Sequence, residues 1–420
     1  MTKRRTQVLE DRDTPNGVMR PIALATVLVI AALASSAFGQ AVPPPPPTRA
    51  PLTVTPSVTI TEEFNDNIDL DNANKEWDLI TGITPGITLN LESPTYRLTA
   101  GYNFTAELWV RNADRNAAFN RQNFSLDAFY QVNPEVVLTL TDQFSMNTDT
   151  NLIAAERVST GSGGGWSNTV TPGVTWRIDP LTLSRTTAAY TLQRYDDEEQ
   201  AESDVFRFDT VLERVMTPRF SGTVGYEFSY FEIEGEDRTT AHTPRLGGIF
   251  RATPTITLTL NGGPMFVEQG DDSYITPAVT AIYRQALAFG SVSAFYDRNI
   301  GTAGGLGGTT INQTFGGSVD VITLRRGLAL TFAPQYSIVK THSDDRIDVQ
   351  ALILPLTATY RFNEWVAAVA SYQFYRQRSD STVRTASGTE LARDADQNRI
   401  FVGLQFGYPM RFDSPFLAGR

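Results

Sequence analysis

This 420-residue chain contains no cysteine, so disulfides, thiolate metal sites and thiol nucleophiles are excluded. Its chemistry must come from carboxylates, guanidinium groups, hydroxyls and two histidines. His242 precedes Thr243-Pro244, and His342 stands within Thr341-His342-Ser343-Asp344-Asp345. Neither has a nucleophile at a spacing that marks a Ser–His or Asp–His pair. We therefore expect no enzyme, no cofactor and no metal centre. What remains is a set of charged residues at odd positions: Arg97, Glu107, Asp127, Arg207, Asp209, Glu213 and Glu227. In an extended chain such spacing places charges on one face, because successive side chains alternate sides. They share that face mostly with Ser, Thr, Asn, Gln and Gly. Mixed charge on a wetted wall sets a transverse field and a weak ion preference, and hydroxyls, amides and carboxylates suit transient hydrogen bonding to polar solutes. The formal net charge is −11, and the cationic groups Lys3, Arg4, Arg5, Arg12 and Arg20 crowd the N-terminus. An acidic chain without basic patches is a poor partner for nucleic acid.

The elements that must carry these residues are strands. In residues 96–108 the even positions are Tyr96, Leu98, Ala100, Tyr102, Phe104, Ala106 and Leu108, and the odd ones Arg97, Thr99, Gly101, Asn103, Thr105 and Glu107. Phe220, Val224, Tyr226, Phe228 and Tyr230 alternate in the same way with Ser221, Thr223, Gly225, Glu227 and Ser229. These runs are about 12–16 residues long, whereas soluble strands usually stop near five or six and a membrane-barrel strand needs about 9–11 for the hydrocarbon alone. Short Pro- or Asn-bearing connections, as at Pro94, Pro134, Pro180, Pro218 and Pro254, alternate with longer acidic ones, of which 148–165 and 379–398 are the longest. This is the turn-and-loop asymmetry of an outer-membrane barrel. Counting the runs predicts a transmembrane antiparallel up-and-down β-barrel of about 18 strands, with 16 as the alternative, spanning residues 55–412. Strands seven (181–195) and fourteen (311–323) alternate less cleanly. A soluble propeller or sandwich would bury both sheet faces, and the polar half of each strand speaks against it.

The termini read differently. Residues 1–41 have a basic stretch, an apolar run at 22–34 and small residues, the pattern of a secretory signal. Cleavage fits after Gly39 or after Ala41, and Met19 could serve as the start. The prolines of 43–47 predict a stiff periplasmic linker over 42–54, and 413–420 reads as a C-terminal tail. Gly403, Phe406 and Tyr408 show a glycine with aromatics at +3 and +5, a spacing similar to the C-terminal signal read by the barrel-assembly machinery, although Phe401 replaces the polar residue expected before it. Trp176 and Trp365 beside short turns, and Trp77, Trp109 and Trp166 beside long loops, predict two aromatic belts. Pro85, Pro172, Pro244 and Pro277 fall inside strands and are expected to mark bulges. The glycine clusters at 161–165 and 304–308 favour mobile loops. The run Asn65-Asp66-Asn67 suits a turn, with a Ca²⁺ or sugar contact as the alternative.

The segments Val58-Thr-Ile-Thr-Glu-Glu-Phe-Asn-Asp-Asn-Ile68 and Asp78-Leu-Ile-Thr-Gly-Ile-Thr-Pro-Gly-Ile-Thr-Leu89 resemble a family of outer-membrane β-barrel porins often encoded in exopolysaccharide biosynthesis operons. The resemblance implies an 18-strand barrel over nearly the whole mature chain and a conduit for secreted polysaccharide or another polar solute. Outer-membrane lipid, the barrel-assembly machinery, secreted polysaccharide and periplasmic export components would be its partners. Two other readings stay open: a general diffusion porin for small solutes, and a non-conducting structural or adhesive barrel.

Overall fold

The computed structural model describes residues 51–153, 155–160, 163–322, 325–342, 346–384 and 391–413. The signal, most of the linker and nearly all of the tail expected from the sequence lie outside them. Among these residues twenty β-segments follow one another, the first ten being β1 (Pro51–Asn65), β2 (Asp78–Glu92), β3 (Tyr96–Trp109), β4 (Ala117–Gln131), β5 (Val136–Asn147), β6 (Gly165–Asp179), β7 (Thr182–Tyr195), β8 (Ser203–Thr217), β9 (Phe220–Ile233) and β10 (Thr239–Thr253). The others are β11 (Ile256–Gln269), β12 (Asp272–Leu287), β13 (Gly290–Thr302), β14 (Thr309–Val321), β15 (Leu328–Phe332), β16 (Gln335–Lys340), β17 (Asp348–Arg361), β18 (Val366–Ser379), β19 (Ala395–Gly407) and β20 (Met410–Asp413).

Two pairs of segments are halves of single wall strands. β15 and β16 share both neighbours, in one register on either side of Ala333-Pro334. β19 and β20 likewise pair with β1 in one register, and the ladder lapses at Tyr408-Pro409 between Ser57↔Gly407 and Val54↔Met410. The wall therefore has 18 antiparallel positions, each beside its neighbour in sequence, and β1 closes it against β19 and β20. Closure removes the sheet edge, which a bilayer does not tolerate. Among the described residues β1 already includes Pro51 to Val54, ahead of Thr55.

The prolines behave differently from expectation. Val58↔Pro85, Leu140↔Pro172, Tyr226↔Pro244 and Pro264↔Pro277 all sit in continuous register. On the other side the ladder skips Pro85, Pro172 and Pro244 without shifting, as between His242↔Phe266 and Leu246↔Gly262, whereas the β12–β13 ladder stops at Val279, short of Pro277. A proline lacking N–H thus interrupts one ladder while the other holds its place. The register shifts lie elsewhere, at Thr105/Ala106, Arg177/Asp179, Val215/Thr217 and Arg251/Thr253. Three of these adjoin short turns, where an extra residue turns the chain without disturbing the membrane-spanning ladder.

Candidate functional site

The wall has two chemically distinct faces. Outward positions hold exposed apolar groups, among them Ile60, Ile83 and Leu404 in one cross-strand row. Trp77 is exposed at the long-loop end, and Trp176 and Trp365 at the short-turn end, where the Trp365 and Tyr408 ring centroids are 6.4 Å apart. Trp109 departs from the predicted belt. It is buried with Ile68 and Ile80 beneath the first long loop, because it shares the inward parity of Glu107. Inward positions carry hydroxyls and charge, with cross-strand pairs such as Thr84–Thr105 at 2.9 Å and Thr169–Thr191 at 2.9 Å. A closed wall that is apolar outside and polar inside satisfies its backbone in lipid and its side chains in water. The chain is an integral outer-membrane β-barrel.

The charges singled out in the sequence join ion pairs along the inner wall. Arg97 pairs with Asp127 at 3.4 Å, both well exposed near the short-turn end. Glu213 receives Arg185 at 3.0 Å and Arg251 at 3.3 Å. Glu227 receives Arg245 at 2.6 Å and lies 4.0 Å from Arg207, and Asp209 lies 3.9 Å from Arg245. Glu107 meets Arg121 at 2.9 Å. That last pair opens a network the sequence reading missed: Arg121 to Glu63 at 3.4 Å, Glu63 to Arg399 at 2.7 Å, and Arg399 to Asp149 at 2.9 Å. It joins β1, β3, β4 and β19 to the loop after β5. Its members are spread over the whole chain, so spacing could not reveal them.

Asp149 begins the chief structural feature of the lumen. In the connection between β5 and β6, the described residues 148–153 and 155–160 leave their own wall and reach the opposite one. Its short helical turn Thr150–Leu152 leads into a stretch held by distant strands. Asn312 on β14 donates to Glu156 at 2.9 Å. Gln335 on β16 donates to the Ala155 carbonyl at 3.0 Å. Tyr375 on β18 donates to the Arg157 carbonyl at 2.8 Å. Gln377 both accepts from the Ser159 amide at 2.8 Å and donates to its carbonyl at 2.9 Å. Arg157 adopts φ 61°, the left-handed region a side chain seldom occupies, and the Tyr375 contact holds it there. Burial pushes the Glu156 carboxyl above the ordinary carboxylate range, opposed by hydrogen bonding and by Arg207 and Arg157. Burial lowers the Arg157 guanidinium.

A second inward element is the top of the β13–β14 hairpin. The Ile300 carbonyl accepts from Arg207 of β8 at 2.6 Å, and Thr302 donates to Gln193 of β7 at 3.2 Å. Gly305 accepts from the Ala201 amide at 2.9 Å. The glycines expected to confer mobility instead make a packed turn: Gly304, Gly305, Gly307 and Gly308 have positive φ, and Leu306 is buried with Val158, Val339 and Ile347. Between the loop and the wall lies a cavity of about 980 Å³, bordered by Asn123, Ser145, Thr191, Arg207, Asp297 and Glu156.

The remaining sequence candidates have plain locations. Asn65 accepts from the Asn67 amide in a local turn, and Asp66 accepts from both the amide and the side chain of Asn398, linking the first loop to β19. His242 shares a 2.6 Å hydrogen bond with the Tyr226 hydroxyl on the outer wall, and His342 stacks on Tyr274. Gly403 lies against Ile60 and Thr61, while Phe406 and Tyr408 are exposed outward.

No family model matches this chain, and no curated protein matches it. Among solved structures it is similar to the outer membrane protein OpdK of Pseudomonas aeruginosa, at 11% identity, covering 85% of this chain and 99% of that one with a TM-score of 0.42. OccAB4 of Acinetobacter baumannii gives 11% identity, 86% and 99% coverage and 0.43. The siderophore receptor PirA of Pseudomonas aeruginosa gives 11%, 84% and 80%, and 0.41. Likeness this faint identifies no family.

Proposed function

We propose that the barrel is a diffusion pore for small polar solutes, narrowed by the loop over residues 148–164. The observation that supports this reading is the crossing of the lumen by residues 149–153 and 155–159, pinned to both walls. An 18-strand barrel is wide enough to hold water. A chord of backbone across it leaves room for small solutes, while an extended polysaccharide needs an unobstructed bore. Geometry thus favours small-solute diffusion over the polysaccharide conduit that the sequence resemblance implies. Carboxylates and guanidinium groups face the same water, so solutes of either charge find partners, and selection between ions is weak. Outward Phe406 and Tyr408 are available on the last full strand for the barrel-assembly machinery.

Planar-bilayer recording and liposome swelling test this reading. The purified barrel should show a small, steady conductance and admit monosaccharides while excluding long oligosaccharides. Replacing residues 151–159 by a short Gly-Ser linker should raise conductance several-fold and admit larger sugars. A barrel that stays silent in both forms would be a structural wall and not a pore.

A further inference from the structure

One junction of the wall is hydrogen-bonded over only part of its height. β12 pairs with β13 from Val279↔Arg298 to Leu287↔Gly290, and residues 272–278 have no register partner on that side. The same residues pair with β11 up to Gln269↔Asp272. Pro277 has no N–H to offer, and above Arg298 the β13–β14 hairpin turns into the lumen. An unpaired stretch beside a lipid-facing apolar surface is costly, and a purely axial pore has no need of one.

Apolar surface continues across this seam. On the outside, Ile275 is 65% exposed and borders a groove of about 420 Å³ with Pro264, Pro277 and Val279. On the inside, Ile300 and Ile311 of the tucked hairpin pack on Phe231, Met265, Val267 and Ala278, an apolar patch on an otherwise polar inner wall. The bridges across the seam are few. Arg298 donates to the Pro277 carbonyl at 3.1 Å and to Thr276 at 3.0 Å, and past the hairpin Tyr274 of β12 stacks on His342, which follows β16.

We propose that the seam between β12 and β13 is a lateral portal. Through it the acyl chain of a membrane amphiphile enters the barrel and lodges on the patch beside Phe231 and Met265 when the hairpin tip moves aside. The occupant follows from position: the outer mouth opens on the lipid-facing surface, and both mouths are apolar. This route is separate from the axial pore and does not depend on it.

The test uses a photoactivatable diazirine palmitate in proteoliposomes of the full barrel, with labelled residues assigned by mass spectrometry. Wild-type protein should carry label on Phe231 or Met265 as well as on outward Ile275. Thr239 and Thr309, whose hydroxyls are 3.4 Å apart, join β10 to the hairpin base. The chain has no cysteine, so T239C/T309C introduces a single thiol pair. Oxidation should abolish inner labelling and leave Ile275 labelled, and reduction should restore it. Arg298→Ala should increase inner labelling. Label confined to outward residues in the wild type, or inner label indifferent to the disulfide, would overturn the portal. Ion conductance of the same vesicles reports the axial route separately.

Discussion

Glu156 shows how one residue can set the behaviour of the lumen. It sits in the constricting loop, accepts from Asn312, and is held above the ordinary carboxylate range chiefly by burial. A carboxyl whose folded pKa is raised favours the folded arrangement below its unfolded value, and that contribution is lost as pH rises through the folded value. The loop should therefore sit most firmly at low pH and loosen as Glu156 ionises. Single-channel recording should show wild-type conductance rising, or fluctuating more, with increasing pH. Glu156→Gln should flatten that dependence at the low-pH level. An unchanged pH profile in the variant would show that another group controls the loop. The nearby Glu63–Arg399–Asp149 network is a different case. Its charges are paired and nearly buried, so deletion of Arg399 alone would leave Asp149 without its cation and Glu63 with Arg121 only, a loss of about 3–5 kcal/mol for a buried pair.

Among the strands, the prolines and glycines of the wall act together. Where Pro244 interrupts the β10–β11 ladder, Gly263 stands opposite Arg245, one place along, and a Cβ there would overlap the Pro244 carbonyl. The missing side chain lets two strands stay close where hydrogen bonding lapses. Gly263→Ala should force a backbone shift costing about 1–3 kcal/mol. Heat-modifiable gel mobility should show it as a lower unfolding temperature, while Gly235→Ala, at a loop site with no neighbour within 4 Å, bears only its positive-φ strain. Equal stability of Gly263→Ala and wild type would mean that the strands separate there without cost. Alternation in these strands was legible because side-chain parity is local. The uneven alternation noted for strand fourteen has a physical cause: at the top of β14, where its ladder with β16 ends at Ile311↔Lys340, Ile311 is buried in the inner apolar cluster and not exposed to lipid. Loop lengths were overestimated where polar residues cap a strand. Residues 239–241 and 395–398 look like loop by composition, yet they continue the ladder.

Taken whole, the molecule is a closed wall whose stability depends on two solvents. Its outer belt exposes Leu246, Ile275 and many aromatics, so it should require detergent or lipid. Purified protein should run faster on gels before boiling than after, and removal of detergent should precipitate it. Solubility without detergent would refute the barrel reading. By itself the sequence determined the class of fold and a wall of about 18 strands, with 16 still open, and parity along single strands assigned Arg97, Glu107, Asp127, Arg207, Asp209, Glu213 and Glu227 to the polar face. Only the tertiary structure decided that the loop after β5 crosses the lumen, that Arg399 holds Asp149, and that the wall is unzipped above Val279. Those features depend on residues such as Ser159 and Gln377 meeting across the barrel. Which distant side chains meet is set by closure of the wall and the register of every ladder, and no local pattern of residues records it.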